Sequence, residues 1–143
     1  MSGLHRIFVF GTLKEGFPNF HINGGRRLPG TFATVLPYPL YLVGERHSPW
    51  LLDAPGQGHR VRGQVFEVDG DVLARMDALE RIHEPDGYRR VRIVVDIEDA
   101  EASGDAEVDA YLKDAHRLGA IDVRLGPLTE YTLQHAALYR QRS

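Results

Sequence analysis

Glu80 is the residue whose placement most favours chemistry. It follows apolar residues at helical spacing, and with Met76 at 0° an advance of about 100° per residue puts Glu80 at roughly +40°, inside the apolar stripe. The stripe consists of Val72, Leu73, Met76 and Leu79. Desolvation raises the pKa of a carboxyl group, which suits a side chain that takes and returns protons near neutral pH. The pattern therefore predicts a general acid/base at Glu80.

Two structural explanations of the same glutamate stay open from the sequence. A buried or half-buried carboxylate can pair with a neighbouring arginine, and Arg89, Arg90 and Arg92 follow in the next predicted strand. The helix can also end before Glu80 and release the side chain into solvent. Neither arrangement gives Glu80 a part in catalysis.

The second chemical feature is the end of the first predicted strand, where Phe10 gives way to Gly11, Thr12 and Leu13. Successive backbone N–H groups in such a turn can form a concave site for a carboxylate or an oxyanion without a charged side chain. Because Gly11 has no side chain, a ligand can approach its backbone. An ordinary turn at a strand end explains the same residues.

Other familiar catalytic patterns are incomplete. Residues 11–16 have the glycine spacing of a phosphate-binding loop, but Phe17 and Pro18 stand where Lys and Ser/Thr are required. The 7 histidines lack the spacings of metal sites, there is no cysteine, and no serine lies in a nucleophile turn. His135 falls on the apolar face of a predicted C-terminal helix, where a core histidine that donates to a carbonyl is expected. We therefore predict no metal and no covalent intermediate.

Strand patterns dominate the elements that must position these residues. Strands are predicted at 6–10, 31–36, 38–43 and 60–68, and a hairpin at 88–97 and 107–112 across an acidic turn at 98–106. Asp69 supplies an N-cap for the central helix, and Pro127 marks the start of a C-terminal helix that extends through Tyr139. This order predicts an α+β fold, with a mixed or antiparallel β-barrel-like sheet, a central helix and a C-terminal helix.

Length and composition are those of one small globular domain. The 143 residues carry a formal net charge of −3, with 43% hydrophobic and 26% charged residues, so a single domain over 1–143 is predicted. The acidic balance disfavours nucleic-acid binding. The apolar run near the N-terminus is too short for a signal peptide or a membrane span. A cytoplasmic protein is expected, and the oligomeric state does not follow from the sequence.

Several motifs in one order resemble the γ-glutamylcyclotransferase family, the AIG2-like cyclotransferases, and most closely its γ-glutamylamine cyclotransferase branch. The family's first strand ends in Tyr-Gly-Ser/Thr-Leu, here Phe10-Gly11-Thr12-Leu13. Its catalytic segment is similar to Met76-Asp77-Ala78-Leu79-Glu80, followed by Tyr88-Arg89-Arg90. Between them the branch shares Tyr38-Pro39-Leu40, Pro49-Trp50-Leu51-Leu52, Pro55-Gly56 and the strand at 61–68.

The resemblance implies a small barrel-like fold whose cavity holds a γ-glutamyl group. Glu80 is then the acid/base that takes a proton from the substrate's α-ammonium, so that the amine attacks its own γ-carbonyl and closes the ring to 5-oxoproline as the other amine leaves. The implied reaction needs no cofactor, and the implied partner is a small γ-glutamyl compound. The implied substrate-binding residues are Phe10, Gly11, Thr12, Leu13, Trp50 and Tyr88.

Some features depart from the family pattern or stay open. Phe10 replaces the usual Tyr, and Lys113 stands near a position where relatives often carry an aromatic residue. Trp50 can wall the leaving-group side or belong to the core, and Tyr88 can offer a pocket hydroxyl or be structural. Two other functions remain: a γ-glutamyl-binding module without turnover, and removal of a γ-glutamyl protecting group in a biosynthetic pathway.

Overall fold

The computed structural model describes residues 3–98, 104–118 and 122–141, and strands dominate it. The strands are β1 (His5–Val9), β2 (Arg26–Arg27), β3 (Phe32–Thr34), β4 (Leu40–Val43), β5 (Ser48–Leu51), β6 (Arg62–Val68), β7 (Arg89–Ile97), β8 (Asp105–Leu112) and β9 (Val123–Leu125). The α-helices are α1 (Gly70–Glu80) and α2 (Leu133–Ala136), and 3-10 turns cover Phe20–Ile22 and Ala115–Arg117. No helix within these ranges is long and apolar enough to cross a membrane.

Five strands close into a barrel in the order β1-β8-β7-β3-β6 and back to β1. β1 pairs parallel with β8 where Ile7 meets Asp109, and the other pairings around the described barrel are antiparallel. β2 pairs with β6 beside β3, while β4 lies between β5 and β9 in a separate three-stranded sheet. The predicted α+β class with a mixed, barrel-like sheet is confirmed.

The barrel strands bury side chains on both faces, because the barrel interior forms one core and α1 covers a second. On β1, Phe8 packs inside the barrel, whereas Ile7 and Val9 pack with the helix. On β6, Val65 packs inside the barrel and Phe66 packs with the helix. Burial of each such side chain stabilises the fold by about 2 kcal/mol. β1 is therefore held on both faces, and so is the start of the turn that leaves it.

Helix α1 begins and ends at residues that favour helix boundaries. The Asp69 carboxylate caps the first turn by accepting the backbone N–H of Val72 at 2.9 Å. Arg81 follows the helix with φ 57°, in the left-handed conformation that terminates many helices. Val72, Leu73 and Met76 are buried. The predicted cap and apolar stripe are confirmed, and Glu80 is the last helical residue.

The predicted hairpin is confirmed as β7 and β8, which pair from Arg89 with Leu112 to Asp96 with Asp105. Part of the predicted acidic turn, residues 99–103, lies outside the described residues. The strands predicted at 31–36 and 38–43 are shorter than expected, as β3 and β4.

The prediction that a helix starts at Pro127 is wrong. The segment after β9 is extended, and its backbone bonds go to the sheets: Leu128 donates its N–H to the Leu40 carbonyl at 2.8 Å, and Thr129 accepts from the N–H of Arg62 at 2.9 Å. Groups used in this way cannot form helical bonds. The helix that does form, α2, starts only at Leu133 and ends at Ala136.

His135 is half-buried on α2 and does not have the expected core role. Its Nδ1 accepts the backbone N–H of Thr132 at 2.9 Å, which caps the short helix. The ring stacks on Tyr131, with ring centroids 5.9 Å apart. Tyr131, four residues earlier in the chain, is fully buried.

Candidate active site

A pocket brings the end of α1 together with the turn after β1. It encloses about 620 Å³ of space, the solvent at its mouth included. Of the residues predicted from the sequence, those that line it are Phe10, Gly11, Thr12, Leu13, Glu80 and Tyr88. The fold thus places a carboxylate and a backbone turn, 67 to 69 positions apart in sequence, on one cavity.

The turn at 11–13 is held by hydrogen bonds that leave some of its own donors available. Gly11 accepts from the N–H of Lys14 at 3.1 Å, and the carbonyl of Thr12 accepts from the N–H of Asn19 at 2.8 Å. Within the described part of the chain, the N–H groups of Thr12 and Leu13 donate to no protein acceptor. Because both residues line the pocket, these donors are available to a ligand oxygen.

Gly11 is required for packing against β5. A Cβ at this position would lie 2.8 Å from Cγ of Pro49, closer than real Cβ contacts come. The Pro49 ring occupies the space that a side chain at Gly11 would need, and the approach of a ligand to the Gly11 backbone stays a prediction. Pro49 also accepts, through its carbonyl, the Tyr88 hydroxyl at 2.8 Å. Tyr88 therefore ties β7 to β5 at the pocket wall.

Glu80 is half-buried at the C-terminal end of α1. The alternative in which the helix ends before Glu80 is wrong. The backbone carbonyl of Glu80 accepts the N–H of Tyr88 at 2.9 Å, which fixes the end of the helix to the start of β7. The arginines considered as partners make ion pairs with other carboxylates: Arg89 with Asp53 and Asp114, Arg90 with Asp77, and Arg92 with Glu107 and Asp109.

Tyr111 and Asp77 form a contact beside Glu80 that sequence reasoning missed. The Tyr111 hydroxyl donates to Oδ1 of Asp77 at 2.7 Å, and Arg90 pairs with the other Asp77 oxygen at 3.3 Å. Burial raises the pKa of Tyr111, and the Asp77 hydrogen bond and the nearby Glu80 charge raise it further. Tyr111 therefore stays a neutral donor that holds α1 on β8. Asp77 itself is half-buried at the edge of the apolar stripe.

Trp50 does not line this pocket in the described structure. It is half-buried on β5, and the Lys113 ammonium lies 4.4 Å from its ring centroid. The same ammonium is 4.5 Å from the Tyr88 ring, close enough to both rings for cation–π attraction. Lys113, which departs from the family pattern, is thus part of the layer behind the pocket wall. Whether Trp50 contacts a leaving group stays a prediction.

The opposite wall comes from two loops and the C-terminal segment, and none of it was predicted. The Tyr139 hydroxyl accepts from Nδ2 of Asn19 at 3.3 Å and from Nη2 of Arg46 at 3.0 Å. Oδ1 of Asn19 accepts from Gln141 at 3.0 Å. Asn19, Arg46, Tyr139 and Gln141 all line the pocket. They come from three separate, irregular segments of the chain, so no periodic signal marks them.

No group of three or more His, Asp or Glu side chains within the described ranges is placed to hold a metal ion. The charged side chains in the described lining are Glu80 and Arg46. Such a site can transfer protons, donate hydrogen bonds and bind charged groups. That the chemistry needs neither metal nor cofactor stays a prediction.

Comparisons with known proteins find similar sequences over most of the chain. A family model described as "Gamma-glutamyl cyclotransferase, AIG2-like" matches residues 7–133. A bovine gamma-glutamylaminecyclotransferase is 43% identical over 97 residues, which are 64% of this chain and 56% of that protein. A protein of the same name from Mus musculus is 40% identical over 104 residues, 69% of this chain and 68% of the relative. The alignment thus spans little more than half of the bovine relative.

A solved structure extends the likeness over nearly the whole chain. The crystal structure of an AIG2-like protein from Mus musculus superimposes with a TM-score of 0.82 at 30% sequence identity, and the match covers 97% of each chain. The barrel, the additional sheet and the segment after β9 therefore belong to one shared architecture.

Proposed function

Because this chain belongs to the AIG2-like γ-glutamyl cyclotransferase family, we propose that it converts a small γ-glutamyl amine or amide to 5-oxoproline and releases the free amine. The observation that carries this proposal is that Glu80 and the turn at 11–13 line one pocket. The reaction needs a group that moves protons and donors that hold an oxyanion. The pocket supplies both, and the named relatives support the choice of γ-glutamyl amines.

The first step forms the ring. The Glu80 carboxylate accepts a proton from the substrate's α-ammonium, and the freed amine attacks the γ-carbonyl carbon of the same molecule. A new C–N bond forms, and the carbonyl π electrons move onto the oxygen. The N–H groups of Thr12 and Leu13 hold the resulting oxyanion. Nucleophile and electrophile belong to one molecule, so the enzyme has only to fold the γ-glutamyl chain into an attack pose.

The second step expels the amine. The oxyanion re-forms the carbonyl, the bond to the leaving nitrogen breaks, and Glu80 donates its proton to that nitrogen. The ring nitrogen still carries two protons at this point, and the Glu80 carboxylate takes one of them and passes it to the released amine. Of the three protons on the α-ammonium, one thus remains on the ring nitrogen and two end on the released amine in its ammonium form. The products are 5-oxoproline and the amine, and Glu80 returns to its starting state. Phe10 in place of tyrosine does not affect this scheme, since the oxyanion donors are backbone groups.

The test measures product from defined donors. Purified protein is incubated with γ-glutamyl-ε-lysine and with γ-glutamyl amino acids, and 5-oxoproline and free amine are quantified together. We expect equal amounts of both products from at least one donor, and loss of turnover in Glu80→Gln. Glu84→Gln is the matched control, because Glu84 is exposed and outside the pocket lining.

Two results would contradict the proposal. Full activity in Glu80→Gln would exclude the acid/base role of that carboxyl group. Binding of 5-oxoproline without product from any donor would identify a γ-glutamyl-binding module instead of an enzyme. Turnover confined to a γ-glutamyl-protected biosynthetic intermediate would keep the chemistry and change the biological substrate.

A further inference from the structure

Arg46 supplies the positive charge of the pocket, and nothing in the acid/base scheme uses it. Within the described lining, Glu80 is the carboxylate and Arg46 the cation. We propose that Arg46 binds a carboxylate group of the substrate and thereby selects substrates that carry one. This inference rests on the proposed cyclotransferase function, which it deepens by naming a recognition element.

The backbone of Arg46 is fixed in a tight turn. Residues 44–47 connect β4 to β5 directly after the Val43–Ser48 pair. Gly44 accepts from the N–H of His47 at 3.1 Å, and both residues have positive φ angles, 73° and 51°. The hairpin therefore holds Arg46 at a defined position at the pocket edge.

The side chain of Arg46 is oriented by the C-terminal segment. Its Nε donates to the Arg140 carbonyl and its Nη2 to the Tyr139 hydroxyl, each at 3.0 Å. In return, the Arg140 N–H donates to the Arg46 carbonyl at 3.0 Å. The guanidinium carbon lies 5.5 Å from the centroid of the Tyr139 ring. These contacts hold the guanidinium in place before any ligand arrives.

These contacts do not neutralise the positive charge of Arg46, and they leave some of its N–H groups available to a ligand. Both acceptors, a carbonyl and a phenol, are neutral. None of the ion pairs between described residues includes Arg46, and no described protein group accepts from its Nη1. A guanidinium with an unused N–H edge is suited to a carboxylate, which it can bind through two parallel hydrogen bonds.

The charges of the pocket match those of the proposed substrate. A γ-glutamyl head carries an α-ammonium and an α-carboxylate on one carbon. Glu80 is complementary to the first group, and Arg46 is complementary to a carboxylate. A second carboxylate source exists when the leaving amine is itself an amino acid, as in γ-glutamyl-ε-lysine. The shared chemistry is the carboxylate, and a pair of substrates can tell the two sources apart.

The experiment compares KM and kcat for γ-glutamyl-butylamine, whose leaving group is neutral, and γ-glutamyl-ε-lysine. The proteins are wild type, Arg46→Gln, Arg46→Lys and, as a matched control, Arg124→Gln. Arg124 is exposed on β9 of the same sheet as the Arg46 hairpin and lies outside the pocket lining. The control therefore removes the same charge from a neighbouring surface.

We expect Arg46→Gln to raise KM by about 10-fold to 100-fold, the range that loss of a charged hydrogen bond produces, while kcat changes little. Arg46→Lys should recover part of the affinity, because it restores the charge without the planar fork. An equal rise in KM for both substrates assigns the contact with Arg46 to the α-carboxylate. A rise confined to γ-glutamyl-ε-lysine assigns it to the leaving group.

A purely structural role for Arg46 predicts a different pattern. Tyr139→Phe removes the hydroxyl that accepts from Arg46 and from Asn19 but keeps the charge at position 46. If Arg46 only holds the tail, Arg46→Lys gives no recovery and Tyr139→Phe raises KM as much as Arg46→Gln does. That pattern, or an unchanged KM in Arg46→Gln for both substrates, would overturn the inference.

The outcomes also separate this inference from the proposed function. Turnover by the wild type with an unchanged KM in Arg46→Gln refutes carboxylate binding and leaves the cyclotransferase activity standing. Absence of 5-oxoproline from the wild type with every donor refutes the activity, and the role of Arg46 in it fails as well.

Discussion

The side-chain amide of Asn19 donates to the hydroxyl oxygen of Thr12 across 2.8 Å. The backbone N–H of Asn19 reaches the Thr12 carbonyl at the same distance, so the loop between them is closed by two bonds. Asn19 is only 3% exposed, and its Oδ1 accepts from Gln141 at 3.0 Å. One buried amide therefore links the turn at 11–13 to the C-terminal segment.

Replacement of Asn19 by alanine should destabilise the fold and the site together. Loss of the buried amide removes its bonds to Thr12, Tyr139 and Gln141, for which we expect a cost of about 2 kcal/mol in the free energy of unfolding. Urea denaturation measures this cost, and His21→Ala, on the same loop but exposed, is the control. With Thr12→Val, a double-mutant cycle should give a coupling of about 1 kcal/mol. If the free-energy changes of the two single variants add up to that of the double variant, the two side chains do not interact.

Replacement of Glu80 by glutamine should separate chemistry from binding. Glutamine keeps the shape of the side chain and cannot carry the proton, so we expect kcat to fall by about 10²-fold to 10⁴-fold. The dissociation constant for 5-oxoproline, measured by calorimetry, should change by no more than a few fold, because the N–H donors at 12 and 13 are untouched. Loss of binding with unchanged kcat would place Glu80 in substrate recognition instead.

Replacement of Gly11 by alanine should be costly, whereas the same change at Gly70 should not. At Gly11 the new Cβ would lie 2.8 Å from Cγ of Pro49, so β5 or the turn must shift. Overpacking of this kind costs about 1–3 kcal/mol. Gly70 is the first residue of α1, and its Cβ position has nothing within 4 Å. Thermal unfolding of the two variants compares them directly, and equal melting temperatures would contradict the packing role of Gly11.

As the pH rises above 8, the free energy of unfolding of the wild type should increase relative to that of the Lys14→Met variant. Lys14 is 3% exposed, its ammonium donates to the Tyr131 carbonyl, and burial lowers its pKa from 10.5 to about 8. Between these values the unfolded chain binds more protons than the folded one, so stability increases with pH. The gain approaches about 1.4 kcal/mol per pH unit in that window.

The measurement is the difference in unfolding free energy between wild type and Lys14→Met at pH 7.5, 9 and 10. The titration of ionisable groups that both proteins share contributes equally to the two free energies and cancels in their difference. A difference that stays constant across the series would mean that the ammonium of Lys14 keeps an ordinary pKa in the folded protein.

The parts of the fold that could be predicted are those whose signals are local. Asp69 marks the start of α1, and the apolar stripe from Val72 onward gives its face, so the position of Glu80 on that face follows from helical geometry. The hairpin of β7 and β8 is recognisable because a long run rich in Val and Ile is followed by an acidic turn and a second, shorter strand. The turn at 11–13 is marked by Gly11 at the end of an apolar strand.

The parts that were missed depend on contacts distant in sequence. β5 contains Pro49, which argues against a strand, and β2 and β9 are two and three residues long, too short to show a period. Leu128 fits a helical pattern but forms its backbone bond with Leu40. Arg46 and Asn19 lie in loops, where a side chain's direction is set by its tertiary partners and not by any repeat.

One wall of the pocket joins segments from opposite ends of the chain, since Asn19 contacts Tyr139 and Gln141 at sequence separations of 120 and 122. During synthesis, the ribosome therefore releases Glu80 well before a complete cavity can exist. A protein nicked between these two segments should regain its cavity only when the two fragments reassociate. Turnover in such a complementation assay would report on assembly of the whole architecture, and not on the presence of one competent segment.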